Sequence, residues 1–223
     1  VDERRKLASH EDLEPELLYY FATDEAPEDR REVADNDGPP LEADVILAKD
    51  ENEEVRSELA RKISRLIPNL SNDQTDKLTT LAIEVLEVLA QDNLPLVRSI
   101  IAEELKHSEN IPHRIVRRLA DDVEEIVAAP ILEYSPLLSD RDLLEIIAGG
   151  LKGGALVALS KRNNLTDIVA DAVAETKDES AIGALLTNQS AQIREETLNS
   201  IVDEAPNKPS WHQPIAKRDN LPS

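Results

Sequence analysis

The segment that decides the fold is Arg30-Arg31-Glu32-Val33-Ala34, because similar segments lie 26 residues away on both sides. The earlier one is Arg4-Arg5-Lys6-Leu7-Ala8, and the later one is Arg56-Ser57-Glu58-Leu59-Ala60. A third echo, Asp92–Arg98, keeps the spacing between Asp50 and Arg56. Repetition at such a period is typical of stacked-repeat proteins. Because each repeat packs only on its neighbours, such a fold presents an extended surface, which favours binding over catalysis.

A second repeated phrase lies in the other half of the chain. Leu159-Ser160-Lys161-Arg162-Asn163-Asn164-Leu165 is echoed 26 residues later by the segment that begins at Leu185, and again by Ile215–Leu221. The last copy resembles the start of another repeat, so we expect the natural protein to continue beyond Ser223. No segment alternates between apolar and polar residues with hairpin turns at its ends, so no strand is predicted. The sequence therefore predicts an all-α fold, an α-solenoid of stacked antiparallel helix pairs, which the resemblance given below would make HEAT-like.

Prolines and capping residues set the expected helix boundaries. Pro15, Pro27, Pro95 and Pro112 each stand where a helix can begin, since a proline there costs no hydrogen bond. Ser139 and a capping box at Ser71–Gln74 predict two further helix starts. Helices are also expected over about 40–49 and 53–66, and one from the capping box to about Ala90, with Leu78, Leu81, Ala82, Val85, Val88 and Leu89 buried. We divide the chain into N-terminal repeats (1–68), central helices with a corner (69–138) and C-terminal repeats (139–223).

The charge is strongly negative and uneven. The formal net charge is −21, and residues 1–60 hold 20 acidic against 7 basic side chains. Such a field repels nucleic-acid phosphates and attracts cationic partners. Aromatic residues make up only 2% of the chain, which also disfavours base stacking. Solubility alone would explain the charge equally simply.

Cysteine is absent, so neither a disulfide framework nor a thiolate metal site is possible. No apolar run approaches the roughly 20 residues that a membrane-spanning helix needs, and no signal peptide is recognisable. We therefore expect a cytoplasmic protein without membrane insertion.

No motif indicates catalysis or a cofactor. The histidines His10, His107, His113 and His212 lack the i, i+4 pairing of a zinc-protease helix, although His107 and His113 flank one junction near several glutamates. Acidic runs such as 50–54 lack the alternating ligands and the central glycine of a calcium loop. The glycines at 149–150 and 153–154 lack the strand and lysine of a phosphate loop, so a helix break with close packing is expected. We predict no catalytic, cofactor-binding or metal-binding residue.

Arginines recur at one position of the repeat. Arg30, Arg56 and Arg98 each follow an aspartate by six residues, namely Asp24, Asp50 and Asp92. We predict a structural ladder in which each arginine binds the acid that precedes it, holding the repeats in register. The alternative is a row of anion contacts for a partner.

The densest apolar stretch runs from Pro130 to Ser139. It would form a core corner between two groups of repeats or, if exposed, a docking patch. The candidate patch residues are Ile131, Leu132, Tyr134, Leu137 and Leu138.

Several segments resemble a domain of unknown function with HEAT-like repeats, found mainly in alphaproteobacteria. They are Leu119–Asp122, Val127–Asp140, Ala191–Glu196 and Trp211–Pro214. The resemblance covers 1–223 and is most specific at Pro130–Leu138. It implies an all-helical bacterial protein and carries no known activity.

Three functions were compared. The favoured one is a non-catalytic scaffold that binds a basic or helical segment of a partner protein on the solenoid surface. The alternative is an enzyme acting on a small molecule or chromophore, as some HEAT-like lyases do. Nucleic-acid binding, as in HEAT-type alkylpurine DNA glycosylases, conflicts with the charge and with the scarcity of aromatic side chains.

Overall fold

The structure, a computed structural model, describes residues 15–36, 41–67 and 77–218. These residues contain 14 α-helices, one short 3-10 helix and no strand, so the predicted all-α fold is confirmed. The chain divides into two compact units, Val1–Ile115 and Val116–Ser223, and each is described by itself. The division lies within the segment 69–138 that the sequence assigned to central helices. The capping box at Ser71–Gln74 and His10 lie outside the described residues.

Unit 1 is a two-layer stack of helices. Its helices are α1 (Pro15–Ala22), α2 (Pro27–Asp35), α3 (Leu41–Leu47), α4 (Glu53–Leu66), α5 (Lys77–Leu89) and α6 (Pro95–Leu105). One layer contains α1, α3 and α5, the other contains α2, α4 and α6, and successive helices within each layer pack on one another. Consecutive helices also pair across the layers. This is the serial packing of an α-solenoid.

The central helix of unit 1, α4, shows why the sequence folds this way. Asn52 caps its N-terminus, since the Asn52 side chain accepts hydrogen bonds from the main-chain N–H groups of Glu54 and Val55. Val55, Leu59 and Ile63 recur every four residues and are fully buried. Burial of each such side chain contributes about 2 kcal/mol. The predicted bounds 53–66 are confirmed.

Unit 2 repeats the arrangement after α7 (His113–Ala120), which spans the division between the units. Its helices are α8 (Glu125–Tyr134), α9 (Asp140–Ala148), α10 (Gly153–Ser160), α11 (Asp167–Glu175), α12 (Glu179–Thr187), α13 (Glu195–Glu204) and α14 (Pro209–Ala216), with the 3-10 helix Ala205–Asn207 before α14. Helices α8, α10, α12 and α14 pack in series, as do α9, α11 and α13. The predicted start at Ser139 is confirmed by a complete capping box with Asp142.

The predicted burial of Leu78 was wrong. Leu78 is 46% exposed, because the buried face of α5 is turned toward Ala82, Val85, Leu86 and Leu89. The apolar stretch that begins at Pro130 is helical in its first half, since Pro130 lies inside α8, which continues to Tyr134. Proline removes a single N–H donor there, and the next two side chains, Ile131 and Leu132, are fully buried.

Candidate binding surfaces

In unit 1 the recurring arginines bind the repeats together through two kinds of acceptor. Arg30 Nε donates to Asp50 Oδ2 at 2.6 Å, and Arg30 Nη2 donates to Asp50 Oδ1 at 2.9 Å. Arg56 makes the same forked contact with Asp92, at 2.5 and 3.3 Å. Each carboxylate therefore comes from the following repeat, 20 or 36 residues later. The pKa of Arg30 is raised above its ordinary value, and the largest cause is its hydrogen bond to the Asp50 carboxylate.

The acid six residues earlier is contacted through its main chain. Nη1 of Arg30, Arg56 and Arg98 donates to the carbonyl oxygens of Asp24, Asp50 and Asp92, at 2.8, 2.6 and 2.6 Å. We expected each arginine to bind the side chain of the aspartate six residues earlier. It binds the main-chain carbonyl oxygen of that aspartate instead. The Arg30 and Arg56 side chains are 16% and 13% exposed. Their donors are engaged inside unit 1, which fits a structural role better than a row of contacts to a partner.

The aspartates recur because their side chains also close a turn. Oδ1 of Asp24 accepts from the main-chain N–H of Ala26 at 3.0 Å, and the pattern returns two residues after each of three later aspartates. These are Asp50, Asp92 and Asp122, with distances of 2.8, 2.9 and 2.9 Å. An aspartate suits this turn because its short carboxylate reaches the backbone two residues further on. The aspartate therefore has two roles. Its side chain closes the turn, and its main-chain carbonyl oxygen binds the arginine where one follows six residues later.

Unit 2 is held by a different ladder, which the sequence reasoning missed. Arg162 donates to the carbonyl oxygens of Leu132, Ser135 and Leu138, near the end of α8. Asn188 Nδ2 donates to those of Ser160 and Arg162, at 3.0 and 2.8 Å, at the end of α10.

Arg218 continues the series at the end of α12. It donates to four carbonyl oxygens, those of Leu185, Leu186, Asn188 and Ala191. The carbonyl groups at a helix C-terminus have no partner inside the helix, so these donors satisfy them. Burial lowers the pKa of Arg162 and of Arg218. The sequence did contain a signal for this ladder. Arg162, Asn188 and Arg218 occupy the same position, the fourth, of the repeated phrase that begins at Leu159, Leu185 and Ile215.

An acidic groove lies between α2 and α4 of unit 1, with a volume of about 290 Å³. Five carboxylates and one guanidinium line it: Glu28, Glu32, Asp35, Glu54, Glu58 and Arg31. Arg31 donates to Glu54 at 3.2 Å and to Glu58 at 3.0 Å, yet its side chain remains 49% exposed. Arg61 also pairs with Glu58 at 3.0 Å, and Arg65 pairs with Asp35 at 3.3 Å. The surplus of negative charge that a cationic group could reach therefore lies at Glu28 and Glu32.

The predicted apolar docking patch is corrected by burial. Ile131 and Leu132 are fully buried and Leu138 is 5% exposed, so none of the three can contact a partner. Leu137 is half-buried, and Tyr134, at 42% exposure, is the one candidate that reaches solvent substantially. Ile131 and Leu132 belong to the face of α8 that is turned toward the core.

The glycines near α10 have a packing role. Gly150 and Gly153 adopt positive φ angles of 97° and 64°, which favour glycine. The main-chain N–H of Gly154 donates to Glu125 Oε2 at 3.0 Å, and a Cβ on Gly154 would lie 1.8 Å from the other oxygen of that carboxylate. The glycines thus end α9 and admit an acid to the N-terminus of α10, where the helix dipole favours it.

The described residues contain no group of three or more histidine, aspartate or glutamate side chains that could hold a metal ion. Nε2 of His212 lies 2.7 Å from the carbonyl oxygen of Ala205. Within the described ranges, no helix is both long and apolar enough to cross a membrane.

The fold and the two ladders define an all-helical repeat protein of the α-solenoid type. Within it, residues 127–223 match a family described as an uncharacterised protein conserved in bacteria (DUF2336). The matched part is less than half of the chain and lies inside unit 2. It includes the Pro130–Ser139 stretch and Trp211–Pro214. No curated protein matches the chain.

Proposed function

We propose that this chain is a non-catalytic, HEAT-like binding protein of the bacterial cytoplasm. In this proposal the groove between α2 and α4 takes a basic segment of a partner protein. Stacked helices present side chains in a fixed order along a surface, which suits an extended or helical ligand.

The observation that supports the proposal is the composition of the groove. Five carboxylates line a concave site of about 290 Å³. Arg31, Arg61 and Arg65 pair with three of them, which leaves the carboxylates of Glu28 and Glu32 for a ligand. Potentials of one sign add in such a cleft and raise the local concentration of oppositely charged ligands. A lysine- or arginine-rich segment would relieve the repulsion among these carboxylates.

Arg31 shows how a guanidinium fits. Its two terminal nitrogens reach Glu54 and Glu58, which lie one helical turn apart on α4. Glu28 and Glu32 stand one turn apart on the facing helix α2. The partner's cations would occupy this second pair in the same manner, as charge-assisted contacts with both helices.

The experiment measures the binding of a short fluorescein-labelled peptide of lysine, arginine and alanine by fluorescence anisotropy. The variant Glu28→Lys/Glu32→Lys is expected to weaken binding by about tenfold or more, and added NaCl should weaken binding to the wild type. The matched control Glu175→Lys/Asp203→Lys changes the net charge equally on exposed positions of unit 2.

Equal losses in the variant and the control would mean that only the overall charge matters, which contradicts a site in this groove. Binding that is indifferent to salt would contradict the proposal as well. Retained binding in the control and lost binding in the groove variant would support it.

A further inference from the structure

We propose that unit 2 carries a separate docking site around Val123 that binds a basic amphipathic helix of a partner protein. We call it the Val123 site. It consists of the loop Asp121–Glu125 after α7, the loop Gly149–Lys152 after α9, and Ile146 and Ala155 beside them. The site does not depend on the acidic groove of unit 1.

The shape of the Val123 site suits an apolar anchor. A depression of about 400 Å³ lies between the two loops, with the largely buried side chains of Ile146 and Ala155 at its lining. Gly149 and Gly150 add no side chains to fill it. Val123 is 94% exposed beside it, and Ile126, three residues further on, is 61% exposed. A partner that buried these two side chains would remove their apolar surface from water, which favours binding.

The exposure of Val123 is not required by the loop. Val123 follows Asp122, whose carboxylate closes the same two-residue turn as Asp24, Asp50 and Asp92. In those three loops the next residue is Glu25, Glu51 or Asn93. The turn therefore forms with polar side chains at this position, and valine adds nothing to it.

A second position in the loop shows the same replacement. Ile126 corresponds to Glu28, Glu54 and Leu96, four residues after each aspartate. The ladder arginine of the earlier loops is also replaced, by Ala128. Compared with the loops at Asp24 and Asp50, this segment keeps the turn and has apolar side chains at both positions where those loops have glutamates, whereas the loop at Asp92 has an apolar residue at the second position only. Two exposed apolar side chains favour contact with another molecule over a role in the stack.

Charge identifies the kind of occupant. Asp121, Asp122 and Glu125 line the site, and Lys152 is its single basic side chain. Arg117 pairs with Asp121 at 2.7 Å but leaves that aspartate exposed. Aliphatic anchors flanked by lysine or arginine complement this arrangement. Anionic lipid, nucleic acid and a second copy of this chain, with its net charge of −21, would all meet like charge.

A helix is the form that the site admits best. The described residues offer no strand whose edge could be extended, so strand addition has no template. A helix places aliphatic residues at i, i+3 and i+4 with basic residues on either side, and this spacing can set one anchor in the depression and another against Ile126.

The test uses the absence of cysteine from the sequence. Lys152→Cys introduces one thiol at the edge of the Val123 site, and an environment-sensitive dye attached there reports an occupant. The probe is a synthetic amphipathic helix of leucine and lysine, compared with a scrambled peptide of the same composition. We expect saturable binding of the helix and at least about tenfold weaker binding of the scrambled peptide.

The key variant is Val123→Glu/Ile126→Glu in the labelled background. The loop after Asp50 has glutamates, Glu51 and Glu54, at the equivalent positions, so we expect the variant to fold. We expect an affinity loss of about tenfold or more, since two apolar anchors are removed, although the added carboxylates attract the basic side chains of the helix. Val123→Ser/Ile126→Ser removes the same anchors without adding charge and should lose at least as much. Leu96→Glu is the matched control, because Leu96 is 56% exposed at the position equivalent to Ile126 in unit 1. It should leave the affinity unchanged. Val123→Ser provides a milder variant if the double change lowers helicity.

Several outcomes would overturn the proposal. Equal affinity in the wild type and the Val123 variants is one, and equal affinity for the scrambled peptide is another. A wild-type dimer in analytical ultracentrifugation that Val123→Glu/Ile126→Glu converts to a monomer would assign the site to a second copy. Glu28→Lys/Glu32→Lys should leave this binding intact, so failure here and failure of the acidic groove are distinguishable.

Discussion

Units 1 and 2 stack their helices alike but hold them in register by different chemistry. In unit 1, Arg30 and Arg56 each pair with an aspartate of the next repeat, at the N-terminal ends of α2 and α4. In unit 2, Arg162 and Arg218 donate to main-chain carbonyl groups at the C-terminal ends of helices. The buried ladder of unit 1 combines carboxylates with carbonyl oxygens, whereas that of unit 2 places cations near the negative ends of helix dipoles. Ion pairs between repeats of unit 2, such as Lys208–Glu179, are more exposed.

One groove of each unit shows a related difference in charge. The groove between α2 and α4 is lined mostly by carboxylates. The groove between α12 and α14, of about 470 Å³, is lined by small and neutral residues such as Gly183, Ala184, Thr187 and Pro214, with Lys161 as its only charged side chain. A stacked fold therefore fixes the backbone and leaves each face free to vary, so two different surfaces can occur on one chain.

The largest expected effect tests how far unit 1 depends on ion pairs. Lys62 of α4 and Asp44 of α3 form a pair at 2.9 Å, with side chains 2% and 1% exposed. Lys62→Met should reduce the free energy of unfolding by about 4 kcal/mol, because it leaves a buried carboxylate without its cation. Urea denaturation followed by far-UV circular dichroism measures the change.

The double variant Lys62→Met/Asp44→Leu serves as the control. It should recover most of the loss, since well-packed apolar residues can replace a buried ion pair at little cost. If the double variant were less stable than Lys62→Met, the pair would not be the source of the effect.

The carbonyl ladder of unit 2 is tested by Arg162→Met. Three carbonyl oxygens lose their charged donor, so we expect a loss of about 3 kcal/mol. Trp211 is the only tryptophan, is 1% exposed and lies in unit 2, so its fluorescence follows the unfolding of this unit. Lys161→Met, at the exposed neighbouring position, should change stability little. If Arg162→Met and Lys161→Met unfolded at a similar denaturant midpoint, the carbonyl ladder would not stabilise unit 2 as proposed.

The arginine ladder of unit 1 is tested by Arg56→Lys. Lysine keeps the charge but cannot reach both oxygens of Asp92 and the carbonyl of Asp50 together, so a loss of about 1 to 2 kcal/mol is expected. Added NaCl should reduce the difference in the free energy of unfolding between Arg56→Lys and the wild type, because salt screens ionic contacts. The corresponding difference for Arg162→Met should change less. An identical salt response in both variants would remove the distinction between the two ladders.

The smallest effect concerns pH. The pKa of Glu179 in unit 2 lies below its ordinary value of 4.5, first because of the hydrogen bond from Lys208 and then because of that from Ser210. A lowered folded-state pKa contributes stability that is present above pH 4.5 and is lost as the pH falls through the folded-state value. Glu179→Gln should remove this part of the acid dependence of the melting temperature and leave the remainder. An unchanged acid dependence in Glu179→Gln would show that the pair with Lys208 does not contribute.

Sequence reasoning succeeded where contacts are local. The capping box at Ser139 and the bounds of α4 follow from side chains three or four residues apart, and both were predicted correctly. It failed for Leu78, because an apolar pattern identifies a helix face but does not decide which apolar residues remain at its exposed margin. For Leu132 and Leu138 it left a core corner and a docking patch open, and their burial favours the core. The acidic groove was visible only as a local excess of negative charge until α2 and α4 were placed side by side.

By itself the sequence determined that short helices repeat and stack, since a 26-residue period and helical spacing of apolar residues are written along the chain. Only the tertiary structure decided which aspartate each arginine binds, that Lys62 and Asp44 form a buried pair, and that Arg162 and Arg218 end the helices before them. The reason is distance along the chain. These partners lie 18 to 36 residues apart, and they meet only after the packing of whole helices has brought the repeats together.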